Sequence, residues 1–141
     1  MLRAQLSLRG VDQTGWLIDS AGIYANEGNP PTSKAIAAAQ KFGVDISALR
    51  SRRFNNEDVE RFEYILAMDL DHLDFIRATG SATASSRLAL LPDPESDQRH
   101  IKVPDPYGRS KRFYARSAGL IWAGIERWLD NSLTAPAPGD G

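Results

Sequence analysis

Apolar positions along the chain follow two patterns: stripes of helical period and short unbroken runs. The clearest stripe is C-terminal. Tyr114, Ala118, Ile121, Trp122, Ile125 and Trp128 or Leu129 recur every three or four residues, which predicts an amphipathic helix over about 110–131. Two tryptophans on one such stripe belong to a core. A second stripe, Ala35, Ile36, Ala39 and Phe42, follows Thr32 and Ser33, either of which can cap a first turn, and Gly43 closes it with Val44 covering the end. Leu2 and Leu6 lie one turn apart ahead of Gly10, yet no capping residue precedes them, since Met1 opens directly into the pattern. A free helix of about two turns is marginal in water, so this spacing predicts an element that begins upstream of residue 1, the alternative being a frayed N-terminal helix docked by its leucines. Asn55 or Asn56 starts a short helical turn through Val59 and Phe62, and Leu73 and Ile76 face inward on a helix from Leu70 to Arg77.

The unbroken runs predict strands. Trp16-Leu17-Ile18, running into Ser20-Ala21-Gly22, reads as a short buried strand. Tyr64 to Met68 is continuously apolar, as expected of a parallel strand covered on both faces, and Arg87 to Leu91 is a last strand stopped by Pro92 and Pro94. Strands alternating with helices predict an α/β chain, a three-layer sandwich with a small parallel sheet flanked by helices. Only three short strands are legible, against about 5–6 in an average sheet. Residues 1–133 read as one domain. Gly80 to Ser86 is small and polar, hence a loop, and Thr134 to Gly141, with its alternating prolines and glycines, reads as a disordered tail.

Composition narrows the chemistry. At 141 residues the chain is long enough for a proper core. Its net charge of −1 offers no electrostatic case for nucleic acid or an anionic membrane. No apolar run approaches the ~20 residues of a membrane span, and no signal peptide is visible, so a cytoplasmic protein is the expectation. There is no cysteine, which removes disulfides, thiolate metal sites and cysteine redox chemistry. His72 and His100 stand alone, no metal-ligand spacing occurs, and no glycine-rich dinucleotide or Walker-type loop is present; neither metal nor cofactor is expected. Ser20 and Ser110 have no histidine near them in sequence, so no Ser-His-Asp triad is legible.

One stretch does carry candidate chemistry: Val103-Pro104-Asp105-Pro106-Tyr107-Gly108. Each proline fixes its own φ, and Pro106 pushes Asp105 out of the helical region, so the carboxyl sits on a stiff exposed loop. Asp69 ends the Tyr64 run at the carboxyl end of a parallel strand, where it can support a site or, the better reading, cap the helix after it. Arg50, Arg52 and Arg53 form a small basic cluster, for which a solvated face is the ordinary reading.

Taken in order, Ser20-Ala21-Gly22, Gly43-Val44-Asp45-Ile46-Ser47, Tyr64-Ile65-Leu66-Ala67-Met68-Asp69 and Val103-Pro104-Asp105-Pro106-Tyr107 resemble the low-molecular-weight protein tyrosine phosphatases over residues 1 to about 130. The resemblance implies a phosphotyrosine phosphatase I-like fold and a phosphotyrosine protein or small aryl phosphate as substrate. It implies Asp105 as the general acid, Tyr107 as an aromatic pocket wall and Tyr24 as the nearest candidate for a second wall, and it puts Arg50, Arg52 and Arg53 on the active-site side, where they could draw an anionic substrate. The oligomeric state is not legible. The family's nucleophile is a cysteine in a Cys-x5-Arg phosphate loop between the first strand and first helix, and this chain has none. Residues 2–10 resemble the end of that helix, so the loop and the central first strand, of order 2-1-3-4, are missing. Two expectations follow: a phosphatase whose chain begins upstream of Met1, or a pseudophosphatase that binds phosphoproteins without turning them over.

Overall fold

A computed structural model describes residues 1–79, 87–92, 103 and 105–134. In chain order the elements are α1 (Leu2–Leu8), α2 (Ser33–Gln40), α3 (Glu57–Arg61), β1 (Tyr64–Ala67), α4 (Leu70–Thr79), β2 (Arg87–Leu90) and α5 (Lys111–Thr134). β1 and β2 pair in parallel, with Tyr64 opposite Arg87 and Ala67 opposite Leu90, and the Leu91 N–H extends the ladder by donating to the Ala67 carbonyl at 2.8 Å.

The sheet is the middle layer because successive strand residues point to opposite faces. Leu66 packs with Leu6, Leu91, Ile125 and Leu129, the cluster shared with α1 and α5. Ile65, Ala67 and Leu88 pack on the other face with Val59, Leu73 and Ile76 of α3 and α4. A third cluster, Ala38, Tyr114 and Ala118, joins α2 to α5. Along that contact Lys34 meets Arg109, Ala38 meets Tyr114, and Phe42 stacks on Trp122 with centroids 5.0 Å apart, so the two helices run parallel with both N-termini at the same end.

Local chemistry explains the helix ends. The Thr32 hydroxyl accepts the Ala35 N–H at 3.2 Å, as its position predicts. At the other end of α2, Gly43 takes φ +73° while its N–H and that of Val44 bond back to Gln40 and Ala39, a Schellman closure. α1 closes the same way, with Val11 N–H bonding to the Leu6 carbonyl, and Met1 supplies no side-chain cap.

Long-range contacts anchor α5. Gln5 is buried and its Nε2 donates to the Trp122 carbonyl at 2.8 Å, tying α1 to α5. The Arg127 Nη2 donates to the carbonyls of Leu90, Leu91 and Pro92 where β2 runs out. The helix passes so close to that point that a Cβ on Gly124 would lie 2.5 Å from the Leu91 carbonyl oxygen. Among the described residues no helix is long and apolar enough to cross a membrane.

Three expectations need adjustment. Trp16 to Ile18 is not a buried strand: Trp16 and Leu17 are exposed, and although Ile18 packs against the Leu6 cluster and its carbonyl accepts from Arg3, the segment pairs with neither β1 nor β2. The stretch reaches sheet-like geometry only at Gly22, in an isolated parallel bridge with Arg53. Extended chain becomes a strand only when a neighbouring edge takes its N–H and carbonyl groups, and among the described residues β1 offers a paired edge to β2 alone. The C-terminal helix also runs to Thr134, three residues past its expected end, and α4 runs to Thr79 rather than Arg77. The Gly80–Ser86 loop, His100 and the tail beyond Thr134 lie outside the described residues.

Candidate active site

The Asp105 loop begins at the carboxyl end of β1. Val103 is buried and its N–H donates to the Met68 carbonyl at 2.9 Å, which fixes the entry of the loop. Asp105 itself is exposed, and its Oδ1 accepts the Tyr107 N–H at 3.0 Å, an Asx turn. Arg109 N–H then bonds to the Pro106 carbonyl at 2.8 Å, with Gly108 at φ +74°, the geometry a type II turn demands at its third position. The exit is fixed by Lys34, whose ammonium donates to the Arg109 carbonyl at 2.8 Å from the first turn of α2. The Arg109 guanidinium lies over the Phe113 ring, 4.7 Å from its centroid. The loop thus holds an exposed carboxyl in place by contacts at both of its ends.

Tyr107 stands beside Asp105 on this loop with 78% of its surface exposed, and Tyr24 is 85% exposed on another loop. No hydrogen bond or ring contact joins Tyr24 to Asp105 or Tyr107 among the described residues. Tyr24 is nevertheless on a well-held segment. Gly22 N–H donates to the Arg52 carbonyl and Phe54 N–H to the Gly22 carbonyl. Gly28 N–H donates to the Ser51 carbonyl, Ser51 N–H to the Asn29 carbonyl, and the Ser51 hydroxyl to the Asn26 carbonyl. Arg53 N–H reaches the Glu27 carboxylate, and its Nε the Ala25 carbonyl. Residues 22–29 are thus strapped onto residues 51–54.

That strap revises the reading of the basic cluster. Arg52 is not part of a solvated face: its Nε contacts Asp19 at 2.8 Å and its Nη1 contacts Asp58 at 2.9 Å. Asp58 is 4% exposed. Burial opposes its ionisation most strongly, but the Arg52 bond and the Asn55 N–H together outweigh that, so its pKa sits below the usual carboxylate range. Asn55 in turn accepts the Asp58 N–H, a reciprocal cap that opens α3. Arg50 spends its guanidinium on the Ser47 and Leu49 carbonyls. Arg52 is therefore structural, while Arg50 and Arg53 stay on the exposed surface, as a solvated face predicts. The Asn55-x-x-Asp58 spacing signalled the cap; nothing local signalled Arg52 as its partner.

Asp69 caps α4, its Oδ1 accepting the His72 N–H at 2.7 Å, as its place before the helix predicts. His72 Nδ1 lies 3.6 Å from the same oxygen, an ion pair only when the ring is protonated.

With this geometry in place, comparison with known proteins is informative. The sequence pattern of the low molecular weight phosphotyrosine protein phosphatases matches residues 1–136. The low molecular weight protein-tyrosine-phosphatase YfkJ of Bacillus subtilis is 31% identical over 112 residues, covering 79% of this chain and 70% of that protein. The phosphatase of the same description from Gallus gallus is 29% identical over 101 residues, 70% of this chain and 63% of its own length. Among solved structures, a Vibrio cholerae low molecular weight phosphotyrosine phosphatase superposes with a TM-score of 0.79 at 27% identity, over 94% of this chain and 84% of that one. Primo-1 superposes at 0.82 with 22% identity, over 94% and 86%, a likeness of fold. An α/β sandwich, a pinned Asp105 loop between β2 and α5 and a matching sequence pattern over nearly its whole length agree: the chain belongs to the low molecular weight phosphotyrosine protein phosphatase family.

Proposed function

We propose that this scaffold serves hydrolysis of phosphotyrosine or small aryl phosphate monoesters, with Asp105 as the general acid. The observation that carries the reading is the Asp105 loop, exposed yet fixed at Val103, at its Pro106–Arg109 turn and at Lys34. In such a reaction a thiolate forms an S–P bond, the P–O bond to the phenol breaks, and the Asp105 carboxyl gives its proton to the departing oxygen. Tyr107 and Tyr24 are the aromatic walls in this reading. General acid catalysis contributes about 10²–10⁴-fold, so a nucleophile and donors for the phosphoryl oxygens are also required. With no cysteine, the 141 residues supply neither a thiolate nor the Cys-x5-Arg loop. In the phosphatase reading these come from a strand seated beside β1, in line with α1. Support for that placement comes from β1, which pairs on one edge only, with β2, among the described residues.

The missing thiol also favours a second reading, a pseudophosphatase that binds phosphoproteins. Intact mass of the protein from its native source separates the two. A mass well above 15.5 kDa, with saturable hydrolysis of an aryl phosphate, is the expected result. A mass of 15.5 kDa without hydrolysis would overturn the enzyme reading, and saturable phosphotyrosine-peptide binding would then establish the second.

A further inference from the structure

Charge is distributed unevenly in this chain. Residues 30–44 and 106–125 contain six basic residues, Lys34, Lys41, Arg109, Lys111, Arg112 and Arg116, and no acidic one. The rest of the chain then holds eleven basic against eighteen acidic residues. These two stretches are the ones the fold packs together, as the parallel pair α2 and α5. Five of the six cations are exposed and Lys34 is half-buried. Arg112 and Arg116 are one turn apart on the outer face of α5, and Lys34 and Lys41 are two turns apart along α2. The surface they make begins at the acid loop, since Lys34 bonds to the carbonyl of Arg109, two residues after Tyr107.

Lys41, at the C-terminal end of α2, suits the helix macrodipole, but helix stability does not account for Lys34, Lys111 and Arg112. Neither α2 nor α5 has an acidic residue in its first turn, and cations there oppose the helix macrodipole rather than complement it. None of Lys41, Lys111, Arg112 and Arg116 takes part in a salt bridge among the described residues. Such a surface fits a partner that brings its own carboxylates.

We infer that the α2–α5 surface is a docking strip for acidic polypeptide, reading aspartates and glutamates that flank the tyrosine presented to Asp105 and Tyr107. The inference rests on the phosphatase-scaffold reading for the tyrosine; the acidic flanks are read from charge alone. Exposed charges of this kind act on encounter and selectivity and weaken with salt.

The test therefore uses an unphosphorylated probe, which needs no phosphate-binding loop. A fluorescein-labelled peptide with a tyrosine between runs of Asp and Glu is titrated with the full chain, by fluorescence anisotropy, at about 20 and about 150 mM salt. We expect saturable binding that weakens with salt, and a loss of roughly tenfold or more in affinity on Arg112→Glu with Arg116→Glu. Both side chains are exposed, so circular dichroism should be unchanged. Arg77→Glu on α4 should leave binding as it was. Absence of saturable binding at low salt, or equal binding by the double variant, would overturn the proposal. So would equal affinity for anionic lipid vesicles or a DNA oligomer. None of these outcomes bears on hydrolysis, which the aryl phosphate assay decides.

Discussion

Arg52→Met is the most exacting test of the reasoning above. In the native chain the Arg52 guanidinium bridges Asp19 and Asp58, and the Asp58 side chain keeps only 5% of its surface while Arg52 keeps 24%. Removing one partner of a buried pair costs about 3–5 kcal/mol, because the other charge stays buried without its counterion. Arg52 is partly solvated, so the lower end applies, about 3 kcal/mol. With a urea dependence of about 2 kcal/mol per molar, the unfolding midpoint followed by tryptophan fluorescence should fall by about 1.5 M. The pH dependence is more diagnostic. A carboxylate whose folded pKa is depressed stabilises the fold above its unfolded pKa, and that contribution is lost as pH falls through the folded value. The native protein should therefore lose stability below about pH 4. In Arg52→Met the desolvation of Asp58 is opposed by the Asn55 N–H and the charge of Arg61. Its pKa moves up, and the acid limb should become shallower. An unchanged midpoint, or an equally steep acid limb, would show that Arg52 does not hold Asp58.

Gly124→Ala should lower the urea midpoint by the equivalent of about 1–3 kcal/mol with an unchanged slope, because the new methyl meets the Leu91 backbone at 2.5 Å. Thr32→Ala should cost about 1 kcal/mol, measured by the same titration, through loss of the bond to the Ala35 N–H. Gly108→Ala forces a left-handed φ of +74° on an L side chain and should speed hydrogen exchange at the Arg109 amide, which that turn protects. On the phosphatase reading, Asp105→Asn should slow hydrolysis of aryl phosphates of high leaving-group pKa by about 10²–10⁴-fold and spare those whose phenol leaves readily. An equal effect on both would remove Asp105 from the acid's role.

Much of this was legible because it is local. The Thr32 cap, the Gly43 closure, the Asp69 cap and the inward residues of α4 and α5 each depend on a few neighbours in sequence, and the structure places them as their spacing predicts. The Asx turn at Asp105 is of the same kind, with both partners two residues apart. The acid loop was therefore recognisable as a stiff exposed turn, and the family resemblance that gave it a chemical role is matched by the comparison over residues 1–136.

What tertiary structure alone decided involves partners far apart in the chain. Arg52 looked like one of three surface cations until Asp19, 33 residues away, and the buried Asp58 were brought to it. Lys34 acquired its hold on the acid loop across 75 residues, and the basic strip emerged only when α2 and α5 packed in parallel. Trp16 to Ile18 shows the converse. Its side chains have the composition of a buried strand, and Ile18 is packed accordingly, but strand pairing belongs to two edges and not to one sequence. Caps, turns and amphipathic stripes are properties of a segment and can be read from it. Ion-pair partners, sheet neighbours and the charge of an assembled surface are properties of the fold.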